Sequence, residues 1–397
     1  MVADTHLGLL PGRRFLFFRT NGLSDSVAVA DCLAWLQNLS EKSVALPRGD
    51  WGKPLELVKP SYLILLGDYF ELWDASDAAI EISGHTIWNH MEKLDCKKVH
   101  IIGNHDFAYE RVEGRFPQGK SSIQVVTGTF PAKNEWLEIG GNWFVFLHGH
   151  QFDWGFYYLG GTYEVLSFLR DGAEGLGLWS WALLFFGLVL SCLGLLIGED
   201  LMIAIAASLL IVAGIPRLIV TAARPLWNHF FKSKYDAQKA LEGFAGWWKR
   251  TRGKAAIPSG QKYIVFGHTH LMDVYTSKEI EDSTGAKLPE DLTLVNIPSW
   301  VSDISEEYQK IFRDAFLYVN GDAHLIGWDW KASKPFYIPQ PVARTIAIGS
   351  PLDEETVTKL AAIGWPPELL EKLRQPFELL ASKNPFTQTR KSVPLAE

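Results

Sequence analysis

The chain has 397 residues, which at roughly 150 residues per domain suffices for two or three domains and excludes a short disulfide scaffold. With 47% apolar residues and 16 Trp, it is more apolar than an ordinary soluble enzyme. The net charge of −7 argues against a nucleic-acid partner, because phosphate backbones attract surfaces rich in Lys and Arg.

Short apolar runs that end in polar or glycine-rich turns recur along the chain, separated by stretches that can form helices. Such runs predict buried strands of a layered α/β or α+β domain. They are Val2-Ala3, Tyr62–Leu66, Val99–Ile102, Trp143–Leu147 and Tyr263–Phe266. Because little chain precedes the first polar cluster, either the first strand is short or the natural start lies upstream.

A polar cluster follows each of these runs. In layered α/β sheets, ligands bind at the carboxyl ends of the strands, so we expect clusters that are distant in sequence to converge there. Asp, Asn and His supply the oxygen and nitrogen donors that divalent metals take, and adjacent glycines allow sharp turns. The clusters are Asp4-Thr5-His6, Gly67-Asp68, Gly103-Asn104-His105-Asp106, His148-Gly149-His150 and Gly267-His268-Thr269-His270.

Two long apolar stretches lie between the fourth and fifth clusters. Residues 176–198 carry no charge, and residues 201–223 carry only Arg217. As helices rising about 1.5 Å per residue, both can cross about 30 Å of hydrocarbon. They predict an inserted two-helix transmembrane hairpin, and the alternative is a buried helical hairpin in a protein core.

The charges beside this hairpin predict its orientation. Residues 217–254 hold nine Lys and Arg against two acidic residues, so the positive-inside rule places the chain on both sides of the hairpin in the cytoplasm, at a cell inner or cytoplasmic membrane. Trp227, Trp247 and Trp248 suit an interfacial belt, and a solvated helix face without lipid contact is the alternative. No secretory signal peptide is expected, and the 3 scattered cysteines fit a reducing compartment.

The last third of the chain predicts a β-hairpin and two short helices. Asn320-Gly321 suits a tight turn between Ala315–Val319 and Ala323–Trp328, because it supplies the positive φ that such a turn requires. The helices are expected at about Asp353–Ile363 and Pro367–Leu380, bounded by prolines and a glycine.

The polar clusters, in this order, resemble the motifs of the calcineurin-like metallophosphoesterases, which read D-x-H, G-D, G-N-H-D/E, H and G-H-x-H. The resemblance covers residues 1–150 and roughly 255–330. It implies an α/β fold, a layered β-sandwich flanked by helices, that holds two divalent metal ions. Mn²⁺ is the first candidate, and Fe and Zn²⁺ also suit mixed nitrogen and oxygen ligands.

Carried over onto this sequence, the family pattern implies two metal sites that share one bridging carboxylate. Two metals about 3.5–4 Å apart can generate a hydroxide nucleophile at neutral pH and clamp the phosphoryl oxygens. The implied ligands are Asp4, His6, Asp68 and His270 for one metal, and Asp68, Asn104, His148 and His268 for the other.

Two residues have implied catalytic roles beside the metals. His105 is expected near the leaving group, as general acid or as a donor to the phosphoryl oxygen, and Asp106 is expected to orient it. His150 follows a ligand by two residues and is expected beside the ligands, with direct ligation as the less favoured alternative.

Two stretches are similar to the UDP-2,3-diacylglucosamine hydrolase branch, whose members cut a pyrophosphate in a lipid-sugar nucleotide at the membrane surface. Residues 67–73 match its GD-x-F-E/D-x-W pattern, with helix-start packing as the alternative, and residues 296–300 match N-x-G-S-W except for Pro298. His105 stands where that branch typically has arginine, which leaves the substrate open. Since the hairpin lies between His148 and His268, we expect a membrane lipid or lipid-linked phosphate.

The leading hypothesis is a membrane-anchored dinuclear-metal phosphohydrolase that cleaves a phosphoester or pyrophosphate. The alternatives are a tethered phosphodiesterase or protein phosphatase acting on soluble substrates, and a catalytically inactive scaffold. Residues 1–154 and 255–335 are expected to form the two parts of the metallophosphoesterase domain, with a helical insertion at 155–254 and a C-terminal tail at 336–397.

Overall fold

The computed structural model divides the chain into two compact units. The first comprises Met1–Pro11, Asn21–Phe152 and Ser233–Glu397, and the second comprises Gly12–Thr20 and Asp153–Lys232. All predicted site residues belong to the first unit. The structure describes residues 1–3, 5, 14–15, 18–19, 22–24, 26–39, 42–70, 72, 77–106, 123–132, 135–152, 185–193, 195–198, 200–201, 203–208, 237–252, 256–303, 314–347 and 350–374.

The described residues form short strands and helices in mixed order. The strands are β1 (Arg14–Phe15), β2 (Phe18–Arg19), β3 (Gly22–Ser24), β4 (Val44–Leu46), β5 (Leu55–Leu57), β6 (Tyr62–Leu65), β7 (Lys97–Ile101), β8 (Ile123–Val126), β9 (Thr129–Phe130), β10 (Leu137–Ile139), β11 (Asn142–Leu147), β12 (Lys262–Phe266), β13 (Asp273–Thr276), β14 (Leu292–Asn296), β15 (Val301–Asp303), β16 (Ala315–Val319), β17 (Ala323–Asp329) and β18 (Lys334–Ile338). The helices are α1 (Ser26–Asn38), α2 (Asp77–Lys93), α3 (Ala237–Thr251), α4 (Ser277–Thr284), α5 (Gln340–Ala347), α6 (Glu354–Ala362) and α7 (Pro367–Leu373), with 3-10 turns at Gly49–Trp51 and His150–Phe152.

The first sheet that carries site residues is parallel, in the order β6-β7-β8. Most residues of β6 and β7 are buried, as expected of strands covered on both faces. Val2 extends this sheet by a parallel bridge to Leu65, with hydrogen bonds from Val2 N to Ile64 O at 3.0 Å and from Leu66 N to Val2 O at 2.8 Å. The expected first strand is therefore present as a bridge beside β6.

The second sheet has the order β10-β11-β12-β14-β13, with β9 also paired to β11. Its centre is parallel, since β11, β12 and β14 run in one direction, while the outer strands pair antiparallel. The runs expected at Trp143–Leu147 and Tyr263–Phe266 are thus confirmed as neighbouring parallel strands, and their carboxyl ends lie at the same edge.

Both faces of the second sheet are buried. Phe146 of β11 belongs to the same hydrophobic cluster as Leu65 and Val99 of the first sheet. The preceding residue, Val145, points to the other face and joins a second cluster with Phe244 of α3. The described residues therefore form a mixed α/β fold with several sheets.

A separate antiparallel sheet, β16-β17-β18, confirms the hairpin expected from Asn320-Gly321. Val319 pairs with Ala323 across the turn, and Gly321 has a φ of +114°, which a residue with a side chain rarely adopts. The two short helices expected near the end are present as α6 and α7, and residues 375–380 of the second lie outside the described residues.

The transmembrane hairpin predicted at 176–198 and 201–223 is wrong. Within the described part of the chain, no helix has both the length and the apolar character needed to cross a bilayer. Of these two stretches, the structure describes residues 185–193, 195–198, 201 and 203–208. The predicted membrane location depends on this hairpin and is wrong for the same reason.

Trp247 and Trp248, expected in an interfacial belt, are each 4% exposed. They lie on α3 in the second hydrophobic cluster, where the Trp247 ring is 5.6 Å from the ring of Phe152 and the Trp248 ring is 6.2 Å from that of Phe244. Their aromatic surface therefore packs against the second sheet. Trp227 lies outside the described residues.

Asp273, the first residue of β13, makes the stability of the fold sensitive to pH. Burial raises the pKa of its carboxyl from 3.8 to about 7, and hydrogen bonds from Tyr275 and from Val274 N oppose the rise. A raised folded-state pKa means that the protonated form favours folding. This contribution is complete below about pH 4 and is lost as the pH rises through about 7.

We therefore expect Asp273→Asn to flatten the decline in the free energy of unfolding between about pH 5 and pH 8. Urea unfolding with EDTA present measures this slope, and Asp282→Asn, an exposed carboxylate on α4, is the control. Equal slopes for wild type and Asp273→Asn would contradict the assignment.

Candidate metal centre

The described polar clusters lie in turns at the carboxyl ends of β6, β7, β11 and β12. Three of their side chains meet: Asp68, His148 and His268 each offer one ligand atom, and these atoms all lie within 4.8 Å of one another. The three residues are 1%, 0% and 4% exposed. The strand ends of two sheets thus bring together a buried set of one carboxylate and two imidazoles.

The ring of His148 has a fixed orientation. Its Nδ1 lies 2.7 Å from the carbonyl oxygen of Leu66, which can only accept, so Nδ1 carries the proton. In the neutral ring, the Nε2 lone pair then faces Asp68 Oδ2 at 3.2 Å and Asn104 Oδ1 at 3.1 Å. A cation between these electron-rich atoms would relieve their repulsion, so this donor set fits a metal ion.

Unusual backbone conformations concentrate at this site. Among the described residues other than glycine, the positive φ values belong to Asp68 (+48°), His268 (+67°), His270 (+59°), Asp314 and Ser333. Three of these five are predicted metal ligands. Residues held in such conformations cluster at functional sites, because the surrounding structure must stabilise the strain.

The glycines of the motifs are required by close packing around the ligands. A Cβ on Gly67 would lie 2.6 Å from the His148 ring, and one on Gly103 would lie 2.2 Å from Asp68 Oδ1. Gly149 has a φ of +118°, and its Cβ would lie 3.1 Å from the Cβ of His268. Glycine is therefore needed beside these ligands because a side chain would not fit there, as well as for the turn conformation.

The turn after β7 is fixed to the turn after β6 through the backbone of His105. His105 N donates to Asp68 Oδ1 at 2.8 Å, and His105 O accepts from Leu72 N at 3.2 Å. The residue is partly exposed, whereas the adjacent Asn104 is buried. His105 is thus a partly exposed residue whose backbone is held in the turn.

Asp106 is fully buried, and its carboxylate bonds to backbone N–H groups. Oδ1 accepts from Phe70 N at 2.8 Å, and Oδ2 accepts from Tyr69 N at 3.2 Å and from Gly103 N at 3.1 Å. The imidazole of His100 also contacts it, with Nε2 3.3 Å from Oδ2. These contacts hold the two turns together, while the expected orientation of the His105 ring by Asp106 stays a prediction.

Two further histidines lie at the site. His270 is buried, in the same turn as His268 and with the same left-handed backbone. The ring of His150 is 5.3 Å from that of His148 and 6.4 Å from that of His268. Burial lowers the pKa of His150 well below its ordinary value, and the two neighbouring imidazoles lower it further. His150 is therefore a neutral ring against the ligand cluster.

Asp4 and His6 lie outside the described residues, so their ligand roles stay predictions. The residue between them, Thr5, is buried and donates from Oγ1 to the carbonyl oxygen of Tyr69 at 2.8 Å. This bond ties the chain after Val2 to the turn that follows Asp68.

Thr269 and Asn296 belong to stretches that the sequence singles out, but their role in holding the ligand turns was not predicted. Thr269, between the two histidines of the last cluster, accepts from Asn296 Nδ2 at 2.5 Å and from Leu271 N at 3.2 Å. Asn296 ends β14, and its position at a strand end was the available signal. His100 gives no such signal, because it lies inside β7 and reads as strand interior.

The comparisons with known proteins add no relative. No family model, no curated protein and no solved structure matches the chain.

The space around Gly103 generates a prediction. Gly103→Ala should displace Asp68, because the new methyl group would overlap its carboxylate, and we expect the Mn²⁺ affinity to fall by at least about tenfold. Isothermal titration calorimetry on the metal-free protein measures this. Gly246→Ala on α3 is the matched control, since its Cβ would meet only the flexible end of Arg250. Unchanged affinity in Gly103→Ala would remove Asp68 from the metal site.

Proposed function

We propose that this protein is a metal-dependent phosphohydrolase that cleaves a phosphoester or phosphoanhydride bond at a centre of two divalent metal ions. The observation that carries the proposal is the buried meeting of Asp68, His148 and His268 beside Asn104. The order of the motifs, which resembles that of the calcineurin-like metallophosphoesterases, supports it independently.

The chain offers ligands for two ions that share Asp68. In this proposal Asn104, His148 and His268 complete one site, and His270 completes the other with Asp4 and His6. Mn²⁺ is the first candidate, and Fe and Zn²⁺ suit the same donors. Divalent ions at such sites polarise phosphoryl oxygens and make water acidic enough to serve as a nucleophile near neutral pH.

His105 is the proposed proton donor. Its backbone is fixed by Asp68 and Leu72, and its ring belongs to a partly exposed residue at the edge of the buried cluster. A histidine so placed can protonate the leaving-group oxygen or donate to a phosphoryl oxygen. Asp106 contributes by holding the turn that carries His105.

The substrate is proposed only as a class. A membrane lipid or lipid-linked phosphate is not among the proposed substrates, because that expectation depends on the transmembrane hairpin. Soluble phosphomonoesters, phosphodiesters and pyrophosphates, together with phosphoproteins, are the candidates for a substrate panel. A catalytically inactive scaffold differs from all of them in binding metal without turnover.

Two substitutions separate metal binding from proton transfer. Asp68→Ala should abolish hydrolysis and bound metal together, because it removes a ligand from both proposed sites. His105→Ala should keep the metal content and lower kcat by about 10²–10⁴, the scale of a lost general acid. Metal analysis of the purified variants and kcat on the best substrate of the panel measure both effects.

His85→Ala, an exposed histidine on α2, is the control and should match wild type in both measurements. Full activity and full metal content in Asp68→Ala would refute the proposed centre. Metal binding by wild type without turnover on any substrate of the panel would favour the scaffold.

A further inference from the structure

His100 contacts the carboxylate of Asp106 and has no role in the proposed chemistry. It belongs to β7, where it pairs with Leu65 of β6 on one side and with Val125 of β8 on the other. Its side chain is 0% exposed. A polar ring inside a parallel sheet is unfavourable unless it has polar contacts, so its presence needs an explanation.

The surroundings of His100 are two aromatic rings and one carboxylate. Its ring meets the ring of Tyr69 edge-on at 5.9 Å and that of Phe70 at 6.2 Å. Its Nε2 lies 3.3 Å from Oδ2 of Asp106, whose side chain is also 0% exposed. The aromatic contacts orient the imidazole so that its Nε2 faces the carboxylate.

The carboxylate of Asp106 is the junction between the two turns that carry Asp68 and Asn104. An ionised carboxylate has about four acceptor positions. The backbone N–H groups of Tyr69, Phe70 and Gly103 donate to it, and the Nε2 of His100 lies 3.3 Å from Oδ2 as a further polar contact. Loss of the imidazole would leave this buried charge less well compensated.

We propose that His100 is a positioning residue of the metal centre: through Asp106, it fixes the turn bearing Asp68 against the turn bearing Asn104. This inference rests on the proposed function, since it assigns His100 to the metal site named there. Because β7 is paired on both sides, His100 is a rigid base from which Asp106 is held. Residues that orient metal ligands from behind typically change metal affinity by about 10–100-fold when removed.

Two carboxamide substitutions test the polar contact separately from packing. The amide nitrogen of glutamine reaches the position of Nε2, whereas that of asparagine reaches only the position of Nδ1. H100Q should therefore retain the contact with Asp106, and H100N should lose it. H100F provides a third comparison, since it keeps a ring beside Tyr69 and Phe70 and removes both ring nitrogens.

The measurement is the Kd for Mn²⁺ of the full-length metal-free protein, by isothermal titration calorimetry. We expect H100N and H100F to raise Kd by about 10–100-fold and H100Q to stay within about threefold of wild type. The kcat at saturating Mn²⁺ should fall by less than tenfold in each variant. V99A is the matched control, because buried Val99 is the preceding residue of β7 and points to the opposite face, so it should lower Tm without changing Kd.

A second readout needs no metal. Hydrogen exchange of the Tyr69, Phe70 and Gly103 amides in the metal-free protein should be faster in H100N than in H100Q. If H100F does not fold, H100N and H100Q still decide the question.

The outcomes separate this inference from the proposed function. If wild type binds no Mn²⁺, the proposed function fails. If wild type binds Mn²⁺ and H100N matches its Kd and amide exchange within twofold, the metal centre stands and the role of His100 is overturned. A rise in Kd that H100Q does not rescue would also overturn it, because packing alone would then explain the effect.

Discussion

The turn after β6 and the turn after β7 are joined by hydrogen bonds from the backbone of each to a carboxylate of the other, and the candidate metal centre depends on these bonds. Asp106, after β7, accepts from backbone N–H groups after β6, and Asp68, after β6, accepts from His105 N after β7. Burying a carboxylate is costly unless hydrogen bonds satisfy it, so each turn supplies what the charge of the other requires. Neither turn can move without exposing the other to that penalty, and the ligand atoms of Asp68 and Asn104 are therefore fixed relative to each other.

The turn that carries His268 and His270 has a strained backbone, which the surrounding packing stabilises. His268 and His270 adopt left-handed conformations on either side of Thr269, which the carboxamide of Asn296 holds. Each such residue costs on the order of 1–3 kcal/mol, and the largely buried parallel strands beneath hold it in place. The site is thus prepared before any ion arrives, which reduces the reorganisation that binding requires.

The hydrophobic pattern of the sequence predicted most of the strands around the site, because they are short apolar runs and the candidate ligands follow their ends. It could not predict contacts within the core: His100 reads as strand interior, and its meeting with Asp106 depends on how β6 and β7 pair. The predicted interfacial belt failed for a related reason, since apolar side chains indicate burial without naming the partner. Trp247 shows this directly, because its neighbour is Phe152 of the protein core.

The junction between Phe152 and α3 has a wider consequence. Gly243 approaches Phe152 so closely that a Cβ would lie 2.4 Å from the Phe152 carbonyl oxygen, so the first unit docks the returning chain on the point from which it departs. The entropy of closing a loop grows only slowly with its length. Segments of very different size can therefore be accommodated after Phe152 without disturbing His148. The candidate metal centre and the residues 153–232 can therefore change independently of each other.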